Sequence, residues 1–259
     1  MGITHIDNIL MVLGVSTQMS EPERLAVTRE MMRGFNDKAK EANTIITGGQ
    51  SVMNPWPMIG GTAISVVKKD KVIMPNNSNP GDLLILTKPL GTQCVVNTVQ
   101  WLIDSDEKWT KAKEFITEEE LWDINNTAEK SMIQLNKRGA ELMLKYKAGA
   151  CTDVTGFGIK GHAENLVNAQ HKNLRFKINK LPVFNKMDLV NDKVKNFKLK
   201  DGFSPETSGG LFLSISKENA QKFIDEMNAA NEWAWIIGEV YESQTKQVEF
   251  DSGLEIISV

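Results

Sequence analysis

The segment Thr152–Gly158 (TDVTGFG) places a carboxylate where metal and phosphate chemistry can occur. Asp153 stands at the end of a predicted strand, followed by a glycine turn and the start of a predicted helix. A carboxylate at such a place can hold Mg²⁺ against a polyphosphate while the helix amides help to neutralise the anion. It can also simply cap the turn or the helix, and the chemistry of the segment alone favours that structural role.

The same stretch contains a glycine pattern that resembles a dinucleotide-binding fingerprint. Gly156, Gly158 and Gly161 match G-x-G-x-x-G between a predicted strand and a predicted helix. The fingerprint also needs an acidic residue about twenty positions further on, to bind a ribose hydroxyl. Residues 173–180 read NLRFKINK and contain no carboxylate. The sequence therefore disfavours a dinucleotide site.

A second candidate is the segment TGGQS at residues 47–51. The glycine pair, Gly48 and Gly49, follows a short predicted strand, so backbone N–H groups can approach a phosphate or a base, and Ser51 adds a hydroxyl. No lysine follows at P-loop spacing, so the segment is not a Walker A motif. On its own it is a tight turn as often as a ligand loop. Two weaker candidates lie at element junctions: Thr87–Thr92 (TKPLGT) and Pro205–Gly210 (PETSGG).

No catalytic nucleophile can be assigned from the residue types. The two cysteines, Cys94 and Cys151, form neither a disulfide framework nor a zinc site with the three scattered histidines. We expect both thiols to be buried as small apolar groups in a reducing compartment. No Ser-His-Asp or Cys-His arrangement stands out, and His162 is expected to be structural.

The bulk composition excludes several classes of partner. The formal net charge is −3, and no basic patch is interleaved with aromatic residues, which disfavours nucleic acid. The apolar run Ile9–Val15 is too short to span a bilayer and lacks the basic segment that precedes a signal-peptide core. We expect a cytoplasmic protein without a membrane span.

The elements that must position these motifs follow a mixed order, which favours an α+β fold over a doubly wound parallel sheet. The turn-rich segment Asn76–Gly81 (NNSNPG) predicts a domain boundary, with domains at residues 1–79 and 80–259. The methionines Met31 and Met32 and the six tryptophans are predicted to fill the core. Strands are predicted at 6–16, 44–47, 58–69, 82–87, 148–154, 174–178, 210–216, 235–241 and 248–250, helices at 20–41, 92–103, 118–146, 159–169 and 217–228, and a polar loop at 190–208.

Taken in order, the motifs resemble one family from near Met1 to about Val240. The family is selenophosphate synthetase (selenide, water dikinase), and the similar segments are TGGQS with NPW, NPGDLLILTKPLGT, TDVTGFGIKGHAENL, SPETSGG and AWIIGEV. Within the family, Asn54–Trp56 and Trp233–Val240 are closer to the eukaryotic branch. The resemblance implies a PurM-like two-domain α+β fold. Residues 1–79 would be part of an ATP-binding domain that forms a β-barrel across a homodimer, and residues 80–259 a complete C-terminal domain.

The resemblance also implies an activity and its ligands. The family converts ATP, selenide and water into selenophosphate, AMP and phosphate. By resemblance, Gly48, Gly49, Gln50 and Ser51 contact ATP, and Asp153 is one of several aspartates that coordinate Mg²⁺ around the phosphates. These positions are the expected ATP-binding and metal-binding residues of this chain.

The sequence departs from the family pattern at its start. In members of the family, a glycine-rich leader precedes the position that matches Met1. That leader carries a reactive cysteine or selenocysteine, an essential lysine and further aspartates. Neither Cys94 nor Cys151 of this chain matches the reactive residue. We therefore expect an N-terminally truncated chain that is inactive alone. Two alternatives stay open: a non-catalytic dimerising or regulatory paralogue, and another ATP-dependent enzyme of the superfamily that includes aminoimidazole ribonucleotide synthetase.

Overall fold

A computed structural model describes residues 2–259, except for the side chain of residue 70, so the expectations that include Met1 reach outside the described residues. The described chain divides into two compact units, residues 2–72 and residues 73–259. The division falls a few residues before the boundary predicted at Asn76–Gly81. Among the described residues, no helix has both the length and the apolar character needed to cross a bilayer.

The first unit, residues 2–72, is a three-stranded sheet with one long helix. Its elements are β1 (Asn8–Ser16), α1 (Glu21–Glu41), β2 (Ile46–Asn54), β3 (Met58–Ile64) and a 3-10 turn at Lys69–Lys71. The strand order is β2-β1-β3, with β2 parallel and β3 antiparallel to β1. Helix α1 provides the crossover that parallel strands require. It begins as predicted, because Ser20 and Glu23 form a capping box.

The second unit, residues 73–259, packs helices on both faces of a mixed sheet with strand order β5-β7-β4-β8-β6-β9. The all-apolar strand at residues 83–86 explains this layering: Leu84 and Leu86 enter one core cluster, whereas Ile85 enters the other. Its elements are β4 (Leu83–Leu86), α2 (Thr92–Ile103), α3 (Glu107–Ala112), α4 (Glu118–Ile133), α5 (Lys137–Lys145), β5 (Ala150–Asp153), α6 (Gly158–Asn168), β6 (Leu174–Val183), α7 (Met187–Lys193), β7 (Leu211–Ile215), α8 (Lys217–Ala229), β8 (Trp235–Glu242) and β9 (Gln247–Ser258).

The single helix predicted at residues 118–146 is wrong, because α4 and α5 are separate. The chain leaves helical geometry at Gln134, whose backbone is extended. Its carbonyl accepts a hydrogen bond from Lys88 Nζ at 2.7 Å, and Asn136 Nδ2 donates to the Gly209 carbonyl at 2.9 Å. These long-range bonds outweigh the helix propensity of the segment.

The glycine pair of the TGGQS segment lies inside a strand rather than in a turn. Residues 48–51 belong to β2 and pair with residues 10–13 of β1. The parallel pairing overrides the local turn signal of two adjacent glycines. The loop predicted at 190–208 is wrong at its beginning, because α7 extends to Lys193.

The expectation that every tryptophan and both neighbouring methionines fill the core is also wrong. Trp56 is 62% exposed and Met32 is 47% exposed, whereas Trp101 is buried. Periodicity predicts which face of a helix is apolar, but it does not show whether another element covers that face. The two cysteines are buried free thiols, as expected.

Candidate functional site

The central sheet of residues 73–259 brings three of the sequence motifs to one edge. Strands β4 and β5 are both antiparallel to β7, so they run parallel to each other and end beside the start of β7. The Thr87 and Leu211 backbones hydrogen-bond at 3.1 Å, and the Val154 N–H donates to the Gly210 carbonyl at 2.9 Å. The TKPLGT, TDVTGFG and PETSGG segments therefore form adjacent loops.

Asp153 is the last residue of β5, and its side chain is exposed. No described residue hydrogen-bonds to its carboxylate, and α6 has no side-chain cap. The turn that follows is instead held by His162, whose Nε2 accepts from the Thr155 N–H at 2.9 Å. The structural alternative for Asp153, a turn or helix cap, is therefore not seen in residues 2–259.

His162 is suited to this supporting contact because it is buried. Burial lowers the pKa of the imidazole, although the negative charge of Asp153 acts in the opposite direction. A neutral ring leaves Nε2 free to accept the backbone N–H. The ring also packs against Phe157, with centroids 5.4 Å apart. His162 thus fixes the loop around Asp153, in agreement with its predicted structural role.

Glu206 links the PETSGG loop to two neighbouring segments. Its buried carboxylate accepts from the Gly91 N–H at 2.8 Å, the Thr92 N–H at 2.9 Å and the Thr92 hydroxyl at 2.6 Å. It therefore caps α2, since Gly91 has no side chain to do so. Its own N–H donates to the Thr155 carbonyl at 3.1 Å. Burial raises the pKa of Glu206 to about 7, against the effect of these donors.

Lys88 supports the same loop from beneath. The side chain is buried, and Nζ donates to the carbonyls of Gln134 at 2.7 Å and Ser208 at 2.8 Å. Ser208 has a positive φ of 49°, which is uncommon for a residue with a side chain. The ammonium therefore holds the Ser208 carbonyl inside the protein.

The two glycines of PETSGG permit the loops to lie this close. A Cβ on Gly209 would come within 1.9 Å of the Val154 carbonyl oxygen, and one on Gly210 within 2.4 Å of the Lys88 nitrogen. Only glycine tolerates such an approach of backbone to backbone. The motifs in the sequence mark these segments but give no role to Lys88 or Glu206. A charged residue inside an otherwise small or apolar motif was the available signal.

A cavity of about 470 Å³ adjoins Asp153 between β5 and α6. Its wall includes Cys151, Thr152, Asn165 and Leu166. This volume falls within the usual range of small-molecule sites. Burial raises the pKa of Cys151 to about 12, so the thiol stays protonated and is not a nucleophile here.

The residues of this edge fit Mg²⁺ only as a partial ligand set. No cluster of three or more His, Cys, Asp or Glu side chains suited to a metal occurs among the described residues. Mg²⁺ is commonly bound by one or two carboxylates, with phosphate oxygens and water completing its octahedral shell. The free carboxylate of Asp153 has the chemistry of one such ligand.

The predicted nucleotide residues lie in the other unit, on edge strand β2. Gly48, Gly49, Gln50 and Ser51 are consecutive and exposed, and β1 pairs with only one side of this strand. Gly49 has φ +142°, and a Cβ there would lie 1.8 Å from the Met11 carbonyl oxygen. The four residues thus form a continuous polar strip on an open edge.

The sequence matches one domain family and several relatives named selenide, water dikinase. Residues 79–251 match the model of the AIR synthase related protein, C-terminal domain. The chain is 46% identical over 246 residues to selenide, water dikinase from Dictyostelium discoideum, covering 94% of this chain and 67% of that protein. It is 46% identical over 242 residues to selenide, water dikinase 2 from Homo sapiens, covering 92% of this chain and 54% of that protein. The chain thus spans about half to two thirds of these relatives.

Solved structures with low sequence identity share the fold. Thiamine-monophosphate kinase from Stenotrophomonas maltophilia K279a matches with a TM-score of 0.69 at 12% identity, covering 98% of this chain and 74% of that protein. Hydrogenase maturation protein HypE matches with a TM-score of 0.69 at 14% identity, covering 96% of this chain and 74% of that protein. The α+β fold is therefore PurM-like, as predicted, and the chain belongs to the selenide, water dikinase family.

Proposed function

We propose that this chain serves in selenophosphate synthesis, in which ATP, selenide and water give selenophosphate, AMP and phosphate. Its relatives carry the name selenide, water dikinase. The observation that carries the proposal is the Asp153 carboxylate, which is exposed and has no hydrogen-bond partner among the described residues, at the edge where three motif loops meet. A carboxylate left free in this way can serve a metal–phosphate ligand.

The chain's residues would bind and orient the nucleotide. Phosphoryl transfer depends mainly on positioning and on neutralising charge. Mg²⁺, when bound, would offset the negative charge of the phosphates, and Asp153 would be one of its ligands. Gly48, Gly49, Gln50 and Ser51 would contact ATP through their exposed backbone and side-chain donors. Neither buried thiol takes part.

Substitution of Asp153 tests the metal role directly. We expect Asp153→Asn to weaken Mg-ATP binding by at least about 10-fold, because even residues that only support metal ligands often contribute that much. Isothermal titration calorimetry with Mg-ATP, and with ATP in excess EDTA, measures the effect. Removal of Mg²⁺ should weaken binding to the wild-type chain and have little further effect on the variant.

Asp201→Asn is the matched control, since Asp201 is an exposed aspartate in the same unit. It should bind Mg-ATP as the wild-type chain does. Equal Mg-ATP affinity of the wild-type and Asp153→Asn proteins would contradict the metal assignment. Failure of the wild-type protein to bind Mg-ATP at all would contradict the wider proposal.

The partner we propose for the first unit is a second copy of the chain. On the face of their sheet opposite α1, strands β1, β2 and β3 expose large apolar side chains, among them Val12, Val52 and Met58. Contiguous apolar surface of this kind is typical of protein interfaces. We also propose the cytosol as the site of action, which agrees with two unpaired cysteine thiols.

A further inference from the structure

We propose that the loop Thr207–Gly209 binds phosphoryl oxygens, through donors that its packing leaves without an acceptor among the described residues. This inference rests on the proposed function and names residues that would hold the phosphate beside the Asp153 metal ligand. The loop adjoins the Asp153 turn, because Glu206 and Gly210 hydrogen-bond to Thr155 and Val154 respectively.

The loop is held firmly by bonds on its inner side. Lys88 Nζ donates a hydrogen bond to the Ser208 carbonyl, and Asn136 Nδ2 donates one to the Gly209 carbonyl. The Thr207 N–H donates to the Thr92 hydroxyl at 3.0 Å, so the entry to the loop is fixed as well. The Ser208 and Gly209 carbonyls therefore point into the protein.

Planar peptide geometry then sets the direction of the donors. In a trans peptide the C=O and the following N–H point in opposite directions. Since the Ser208 carbonyl points toward Lys88, the Gly209 N–H points away from Lys88. The positive φ of Ser208 is a further feature of backbone concavities that bind anions through successive N–H groups.

Four donors of the loop have no acceptor within residues 2–259. These are the N–H groups of Ser208 and Gly209 and the hydroxyls of Thr207 and Ser208. Both hydroxyl residues are exposed, whereas Gly209 is buried. A buried backbone N–H is costly unless water or a ligand accepts its hydrogen bond. The arrangement is suited to a ligand that brings several acceptor oxygens.

The chemistry of the donors identifies the class of ligand. The loop offers N–H and O–H groups and no carboxylate of its own in this stretch, which fits an oxyanion. A free phosphate would be repelled by nearby Asp153, but a phosphoryl group that shares a cation with Asp153 would not. We therefore assign the loop to the phosphoryl group of a Mg-nucleotide or of a phosphorylated product. Lys88 is a positioning residue that acts through Ser208.

Amide NMR provides a test that needs no variant. The chain labelled with ¹⁵N-serine and ¹⁵N-glycine is titrated with Mg-ATP and, separately, with inorganic phosphate in the presence of Mg²⁺. We expect the Ser208 and Gly209 signals to shift and saturate with at least one probe. A response to Mg-ATP alone would show that the loop binds the phosphoryl group of the nucleotide. A response to both probes would show that the loop also binds free phosphate or the phosphate of a product.

A double substitution then measures the contribution of the hydroxyls. Thr207→Val with Ser208→Ala should raise the dissociation constant of the responding probe about 10-fold, the value expected for lost hydrogen bonds to a charged group. The control pair Thr110→Val with Ser252→Ala removes two exposed hydroxyls elsewhere in the same unit and should leave the constant unchanged.

The outcomes separate this inference from the proposed function. If Asp153→Asn weakens Mg-ATP binding while the Ser208 and Gly209 amides stay unshifted at saturation, the loop assignment is wrong and the proposed function stands. If the amides shift but the double variant binds as tightly as the control pair, the claim that the hydroxyls bind the phosphate is overturned. If Mg-ATP does not bind, the proposed function itself fails.

Discussion

A carboxylate at the end of a strand could either stabilise the following turn or bind a ligand. In this chain His162 stabilises the turn, and Asp153 is left for a ligand. His162 accepts the Thr155 N–H and so stabilises the turn, which leaves Asp153 with an exposed carboxylate. A residue released from structural hydrogen bonding is available to a ligand. Glu206 does the reverse, because its carboxylate accepts three hydrogen bonds from Gly91 and Thr92 at the start of α2.

Glu206 should make the stability of the protein depend on pH. Its folded pKa is raised by burial from 4.5 to about 7, so the folded state keeps a proton that the unfolded state has already released. Its stabilising contribution is full below pH 4.5 and is lost as the pH rises through 7, by about 3 kcal/mol in total. Nearby Cys94 stays neutral, because burial raises its pKa to about 12.

Chemical denaturation of wild-type and Glu206→Gln proteins across this range measures the effect. Glutamine does not titrate, so the wild-type minus variant difference in the free energy of unfolding should fall as the pH rises. Glu242→Gln, at an exposed position, should show no such trend against wild type. A constant difference between wild type and Glu206→Gln would show that the carboxyl ionises alike in both states.

At the scale of single elements, strand β2 requires glycine at one position, Gly49. Gly49 adopts φ +142° against the Met11 backbone, beside a register shift at Ile9 and Leu10. Gly48 is different, since a Cβ there would meet only Leu10 Cδ2 at 3.6 Å, an ordinary contact. The two neighbours therefore form a matched pair for substitution.

Gly49→Ala should destabilise the chain by more than about 2 kcal/mol, because backbone strain and a clash with a carbonyl combine. Gly48→Ala should change the free energy of unfolding by less than about 1 kcal/mol, since its conformation suits alanine. Thermal or urea unfolding of both variants measures this. Similar losses in the two variants would contradict the strained geometry assigned to Gly49.

Elements defined by local signals could be predicted from the sequence, and those defined by distant contacts could not. The capping box at Ser20 and Glu23 marks the start of α1 in the sequence and in the structure. The break between α4 and α5 depends on Lys88, 46 positions from Gln134. The extent of β2 likewise depends on its pairing with β1 rather than on its own residues.

The same distinction applies to the candidate site. The TDVTGFG and PETSGG segments were identified because glycine, threonine and acidic residues cluster at the ends of predicted elements. Their proximity, and the roles of Lys88 and Glu206, require the strand order β5-β7-β4, which periodicity does not encode. The nucleotide and metal roles of Gly48–Ser51 and Asp153 remain predictions from family resemblance.

For the whole molecule, the open sheet of the first unit predicts self-association. Val12 is 45% exposed and lies on β1, on the face of the three-stranded sheet opposite α1. Val12→Asp would place a charge in the proposed interface, so it should shift the chain from dimer toward monomer by at least about 10-fold in dissociation constant, since an unpaired buried charge is costly. Sedimentation velocity over a concentration series measures the shift.

Val96→Asp is the control, because Val96 is 48% exposed on α2 in the other unit. It should sediment as the wild type does. A wild-type chain that stays monomeric throughout the concentration series would contradict the homodimer. Equal dimerisation of wild type and Val12→Asp would place the interface on another surface.

The cap that Glu206 provides for α2 has a consequence for synthesis on the ribosome. Gly91 and Glu206 are 115 positions apart, so the first amides of α2 lack their acceptor until more than half of the second unit has been translated. Contacts this distant in sequence form late and slowly. A nascent chain halted before residue 206 would expose an unfinished helix end to chaperones and proteases, whereas a chain released beyond it closes that end with its own carboxylate.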